Sequence, residues 1–178
     1  MEWNQVIRLA GYRTREEIYR HLVLEPVMAA LYFRIAEIKN PLVDFGSGNG
    51  SPGIIFSLFN PDLPVYLVER KEKKRSFLNY LAGRLNLVSV QVFSDLKLVL
   101  ENESRDCHFW MKGISMASLR NAFPPEWSSM VHVFKFGEID HPDDCQENTI
   151  HVINSEAFQI QPAISVQVSE CHWCIRET

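Results

Sequence analysis

Apolar positions along the chain change their spacing several times, and each change marks an element. Between residues 14 and 38, Ile18, Leu22, Val23, Val27, Leu31, Ile35 and Ile38 recur about every 3.6 residues, the period of a helix with one buried face. Thr14 supplies an N-terminal cap, and Glu16 and Glu17 give the acidic first turn that a helix dipole favours. Pro26 has no N–H to donate, so it is expected to kink this run or split it into two helices.

From Pro41 the pattern shortens. Residues 42–45, 65–68, 89–93, 108–111 and 131–136 are brief apolar runs of the kind that form buried strands. Helical spacing returns between them, over 54–59, over 71–85 with Phe77, Leu78, Leu81 and Leu85 on one side, and over 114–122. Strands alternating with helices predict an α/β fold with a mostly parallel sheet covered on both faces. After Gly137 the alternation stops, and the strand-like runs 149–153 and 165–175 predict an antiparallel hairpin at the sheet edge.

The strongest chemical signal lies between the first strand and its helix, in Asp44-Phe45-Gly46-Ser47-Gly48-Asn49-Gly50-Ser51-Pro52-Gly53. Glycines there let the backbone turn tightly and approach a ligand that a Cβ would hold off. Asp44, at the strand end, is expected to accept hydrogen bonds from a ligand or pair with its cationic group. Glu69 ends the second strand, where a ribose hydroxyl is read in nucleotide-binding sheets. Gly48, Gly50 and Gly53 match the dinucleotide spacing G-x-G-x-x-G, whereas Asp44 followed by Gly46, Gly48 and Gly50 matches an S-adenosylmethionine site. An acid in the turn opposes a pyrophosphate but suits a sulfonium amino acid, so the methyl-donor reading is preferred, with NAD and a ligand-free turn as alternatives.

Composition narrows the class. The chain has 178 residues, 46% hydrophobic and 11% aromatic, enough apolar volume for a core. One domain over residues 1–178 is expected, with a helical segment over 1–39 and a Rossmann-like core over 40–178. Net charge is −4, but residues 136–175 contain no Lys or Arg and carry −7, which leaves residues 1–135 at +3. The total therefore does not exclude a nucleic-acid partner. Arg70, Lys71, Lys73, Lys74 and Arg75 crowd around Glu72 beside the predicted pocket and are the candidate RNA contacts. Met1 to Gln5 has no basic run leading into an apolar one, and no apolar stretch is long enough to span a bilayer, so a cytoplasmic protein is expected. Cys171 and Cys174 form one Cys-x-x-Cys pair that would face opposite sides of a strand, with Cys145, His141 and His151 as remote partners, and Asp143-Asp144 beside Pro142 reads as a turn; no metal is expected.

These residues together resemble the 16S rRNA guanine-N7 methyltransferases, also called the glucose-inhibited division protein B family. The resemblance rests on residues 44–53, on Glu69 with Lys73-Lys74-Arg75-Ser76-Phe77-Leu78, on Leu85-Asn86-Leu87, on Trp3-Asn4 and Arg20-His21-Leu22, and on Lys135 and the terminal His172-Trp173-Cys174-Ile175. It implies a class I S-adenosylmethionine-dependent methyltransferase fold with N-terminal helices, acting on 16S rRNA or the small ribosomal subunit. It places cofactor contacts at Gly46, Ser51, Lys97, Leu98 and Lys112, to which the turn itself adds Asp44, Ser47, Gly48 and Gly50, and the end of the second strand adds Glu69. Lys112, Lys135 and His21 are candidates for positioning the acceptor; no catalytic acid or base is assigned, because guanine N7 carries no proton at neutral pH. The chain departs from the usual family pattern at Leu24-Glu25-Pro26 (usually Asp-Ser-Leu), at Leu96-Lys97-Leu98 (Arg-small-Glu), at Arg8-Leu9-Ala10 (Asn-Leu-Thr) and at Lys112 (Arg). A divergent S-adenosylmethionine-binding protein, or a methyltransferase with another substrate, is the alternative.

Overall fold

The computed structural model describes residues 9, 11–103, 106–124, 129–137, 147–154, 157 and 164–175. Trp3-Asn4, His141, the Asp143-Asp144 turn, Cys145 and the side chains of Cys171 to Cys174 lie outside the described residues.

Helix α1 (Arg15–Tyr19) starts from a reciprocal cap: Thr14 accepts from Glu17 N–H, and the Glu17 carboxylate accepts from Thr14 N–H at 3.0 Å. The chain then passes through one π-helical turn (Arg20–Leu24) into α2 (Glu25–Tyr32). The backbone stays helical throughout, with the run divided into two α-helices by this turn and Pro26 in the first turn of α2. Where an α-helix would set the proline ring against the carbonyl four residues back, the wider turn absorbs the misfit, and Glu25 N–H reaches the carbonyl of Arg20.

The remaining elements are β1 (Leu42–Phe45), α3 (Gly53–Phe59), β2 (Val65–Val68), α4 (Glu72–Arg84), β3 (Val90–Phe93), α5 (Leu96–Asn102), β4 (His108–Lys112), α6 (Met116–Arg120), β5 (Ser129–Phe136), β6 (Glu147–Asn154) and β7 (Ser165–Ile175). They form one seven-stranded sheet in the order β3-β2-β1-β4-β5-β7-β6. β3, β2, β1, β4 and β5 are parallel, and β7 inserts antiparallel between β5 and β6, which gives the expected edge hairpin. This is the class I methyltransferase architecture. Helix α5 has no counterpart in the sequence reading, and it places Leu96 and Val99 in the core.

Both faces of the sheet are covered. On one, Met28, Ile35, Phe56 and Leu78 pack over Leu67, Trp110 and Phe134, with Trp110 stacked on Phe134 at 4.4 Å between centroids. On the other, Leu96, Val99, Met116 and Leu119 pack over Val43, Val68, Met111 and Val133. Burying each such side chain contributes about 1.5–3 kcal/mol, which fixes the relative position of the strand ends. The chain runs outward from β1 to β3 on one side and from β4 to β5 on the other, so a crevice opens at the carboxyl ends of β1 and β4. Among the described residues, no helix is long and apolar enough to cross a membrane.

Candidate functional site

A cavity of about 820 Å³ occupies this crevice. Its floor is the turn after β1. The N–H groups of Gly46 and Ser47 both donate to the carbonyl of Val68, at 2.9 and 3.0 Å, which ties the turn to the end of β2. Ser47 Oγ donates to the Asp44 carbonyl at 2.6 Å. Gly48 has φ +51°, and a Cβ there would stand 4.0 Å from Glu69 Oε2 and 3.6 Å from Lys74 Nζ, within the cavity mouth.

Glu69 is held from both oxygens. Oε2 accepts from Gly48 N–H at 3.1 Å and Oε1 from Lys71 N–H at 2.8 Å. Its carboxylate is thus oriented by backbone donors that cannot swing away. Ser51 Oγ, on the same wall, is buried with no hydrogen-bond partner among the described residues.

Of the expected cofactor positions, Gly46, Ser47, Gly48, Ser51, Glu69, Lys97 and Lys112 line the cavity. Asp44, Gly50 and Leu98 do not. Asp44 lies under the turn, 1% exposed, and its Oδ2 accepts from Gly53 N–H at 3.0 Å, so it anchors the start of α3. Burial pushes its carboxyl up to about 7. Gly50 faces Ile54 and Leu78, where a Cβ would meet Ile54 Cγ1 at 2.7 Å. Leu98 sits about one third of a turn beyond Lys97 on α5, so its side chain faces solvent while its N–H donates to the Asp95 cap at 3.2 Å.

The basic run divides in the same way. Arg70, Lys71 and Lys74 line the cavity, whereas Lys73 is exposed on another side of α4. Arg75 turns its guanidinium back onto the carbonyls of Glu69 (3.1 Å) and Arg70. Lys135 lies off the cavity: it pairs in register with Met111, one residue out of step with Lys112, and side chains alternate faces along a strand. His21 is also off the wall, stacked on Tyr12 at 4.6 Å and bonded to Glu25 Oε1 at 2.7 Å. Its carbonyl accepts from Lys112 Nζ.

Asp95, Tyr12 and Asn49 line the cavity without having been singled out as site residues. A signal for Asp95 existed, since an acid two residues after the third strand is a helix cap at the sheet's binding end. Among the described residues, no group of three or more His, Cys, Asp or Glu is placed to hold a metal ion.

A family model described as rRNA small subunit methyltransferase G matches residues 1–108. The chain belongs to this family. Curated members include the ribosomal RNA small subunit methyltransferase G of Mycoplasma genitalium, 42% identical over 87 residues, and that of Mycoplasmoides gallisepticum, 35% identical over 101 residues. These matches cover 48% and 56% of this chain and 45% and 41% of the relatives, so they span less than half the length of either relative. Among solved structures, a precorrin-6Y C5,15-methyltransferase from Geobacter metallireducens superposes with a TM-score of 0.53 at 12% identity, over 81% of this chain and 86% of that one. An MtNAS variant in complex with S-adenosylmethionine gives 0.56 at 13% identity, over 97% of this chain and 71% of that one. At these identities the likeness is one of fold.

Proposed function

We propose that this chain binds S-adenosylmethionine in the cavity at the head of the sheet and transfers its methyl group to a guanine N7 of small-subunit 16S rRNA. The observation that carries the reading is the convergence of Gly48, Ser51 and a backbone-oriented Glu69 on one cavity in a member of the rRNA small subunit methyltransferase G family.

The residues present suit the cofactor. Glu69 offers fixed acceptors for ribose hydroxyls, and the unpartnered Ser51 hydroxyl offers a further donor or acceptor. Gly46, Ser47 and Gly48 let the ligand approach the main chain, and Lys97, Asp95 and Lys112 complete the wall. An acid at the end of the second strand would also suit the ribose of a dinucleotide, so membership of a methyltransferase family, not the acid, favours the methyl donor. When bound, S-adenosylmethionine supplies an electrophilic methyl group on a sulfonium.

Guanine N7 presents a lone pair without losing a proton, so the chain needs no general base. Its residues act by aligning the acceptor and excluding water. Arg70, Lys71 and Lys74 at the mouth would meet RNA phosphates. The acceptor therefore enters from the α4 side, and the cytoplasm is where such a substrate is found.

A thermal-shift survey tests the cofactor half of the reading. S-adenosylmethionine and S-adenosylhomocysteine should each raise the melting temperature and NAD should not, because only bound ligand stabilises the folded state. Gly48→Asp, which puts a carboxylate beside Glu69 on a backbone of positive φ, should abolish both shifts. Stabilisation by NAD alone would replace the methyl-donor reading with the dinucleotide one.

A further inference from the structure

Glu25 is a buried acid that alignment of the acceptor does not employ. It opens α2, is 8% exposed, and reaches across to the end of β4. Its Oε2 accepts from Lys112 Nζ at 2.8 Å and its Oε1 from His21 Nδ1 at 2.7 Å, with Arg20 Nε 4.0 Å away. Lys112 also donates to the His21 carbonyl and lies 4.8 Å from the Phe136 ring centroid. Its side chain is 15% exposed, and what it exposes borders the cavity. Burial holds the ammonium below the ordinary lysine range, and Glu25, then Asp44, oppose that loss of charge.

An uncompensated ammonium in the wall of a partly closed cavity repels a second cation there, and low polarity makes the repulsion stronger than in water. S-adenosylmethionine and S-adenosylhomocysteine have nearly one shape and differ by one positive charge. A neighbouring net charge therefore separates them, whereas a change of cavity shape affects both. We infer that Glu25 determines cofactor selectivity by neutralising Lys112, so that the cavity accepts the sulfonium substrate rather than favouring the neutral thioether product. Glu25 acts through Lys112 and is a positioning residue; the inference rests on the cofactor reading above.

Calorimetric titration of both ligands at pH 7 tests it in wild type, Lys112→Arg, Lys112→Arg/Glu25→Gln and Lys112→Met/Glu25→Gln. Arginine keeps its proton in proteins, so position 112 stays cationic with or without its acid. Removing Glu25 in the Lys112→Arg background should weaken S-adenosylmethionine about tenfold and leave S-adenosylhomocysteine within about twofold. The variant with both charges removed should return to the wild-type ratio of affinities. S-adenosylhomocysteine binding also reports that each variant is folded; should Lys112→Arg/Glu25→Gln bind neither ligand, Lys112→Arg/Glu25→Ala, in which position 112 again keeps its charge, carries the comparison. An unchanged ratio, or equal loss of both ligands in a folded variant, overturns the inference alone. Wild-type protein that binds neither ligand overturns the cofactor reading with it.

Discussion

Asp44 accepts Gly53 N–H through one carboxylate oxygen, while the other is buried without a hydrogen-bond partner among the described residues. An acid in that position binds its proton far more tightly in the folded chain, about 7, than the ordinary aspartate value of 3.8. Between those two values the folded state keeps a proton that the unfolded state has released, so rising pH costs stability until the folded value is passed. Asp44→Asn keeps the acceptor for Gly53 and removes the charge. Its advantage in thermal unfolding should grow from about pH 4, level off above about pH 7, and amount to on the order of 4 kcal/mol at most. The sequence marked Asp44 as chemically important because an acid ends a strand before a glycine turn. It did not show which way the carboxylate faces, because that depends on where α3 returns to the sheet. Lys112 was marked from resemblance, and its partner Glu25 lies 87 residues earlier in the chain. Two departures from the family pattern thus meet in space, as no local pattern could show.

The helix that follows the turn starts hard against the sheet. A Cβ on Gly53 would lie 2.4 Å from Leu67 Cδ2 and 2.8 Å from Asp44 Oδ2, so this glycine serves close packing of α3 on β1 and β2. Gly53→Ala should lower the urea midpoint by the equivalent of about 1–3 kcal/mol, since both neighbours belong to the packed core. The glycine spacing was legible, but the division of labour among the glycines was not. Gly48 borders the cavity, whereas Gly50 and Gly53 pack inward. Strand positions were legible wherever a short apolar run stood between polar turns. Helix α5 was not, because Leu96, Leu98, Val99 and Leu100 form a short, nearly continuous apolar run without clear helical spacing, and only the Asp95 cap marks its start. The π-helical turn before Pro26 likewise follows from a three-dimensional accommodation that apolar spacing does not record.

Across the whole molecule, the cavity and the edge hairpin belong to different parts of the sheet. On the hairpin side, Glu170 on β7 joins two strands: its carboxylate bonds His132 Nε2 at 2.6 Å and His151 Nε2 at 2.7 Å. Burial pushes this carboxyl up, but the two imidazoles outweigh it and hold the group below the usual glutamate range. The resulting stability is present above the ordinary value of 4.5 and is lost as pH falls through the lower folded value. Glu170→Gln should therefore melt a few degrees below wild type at neutral pH, with the gap closing in acid. Arg70, Lys71 and Lys74 stand at the cavity, while Glu170 is occupied at the far side of β5. Methyl transfer is the most direct measure of the account. Small ribosomal subunits from cells lacking the modification would be incubated with this protein and methyl-labelled S-adenosylmethionine, and the 16S rRNA digested for nucleoside mass spectrometry. Label is expected in 7-methylguanosine; tight cofactor binding with no label in any rRNA nucleoside would contradict methyl transfer to guanine N7.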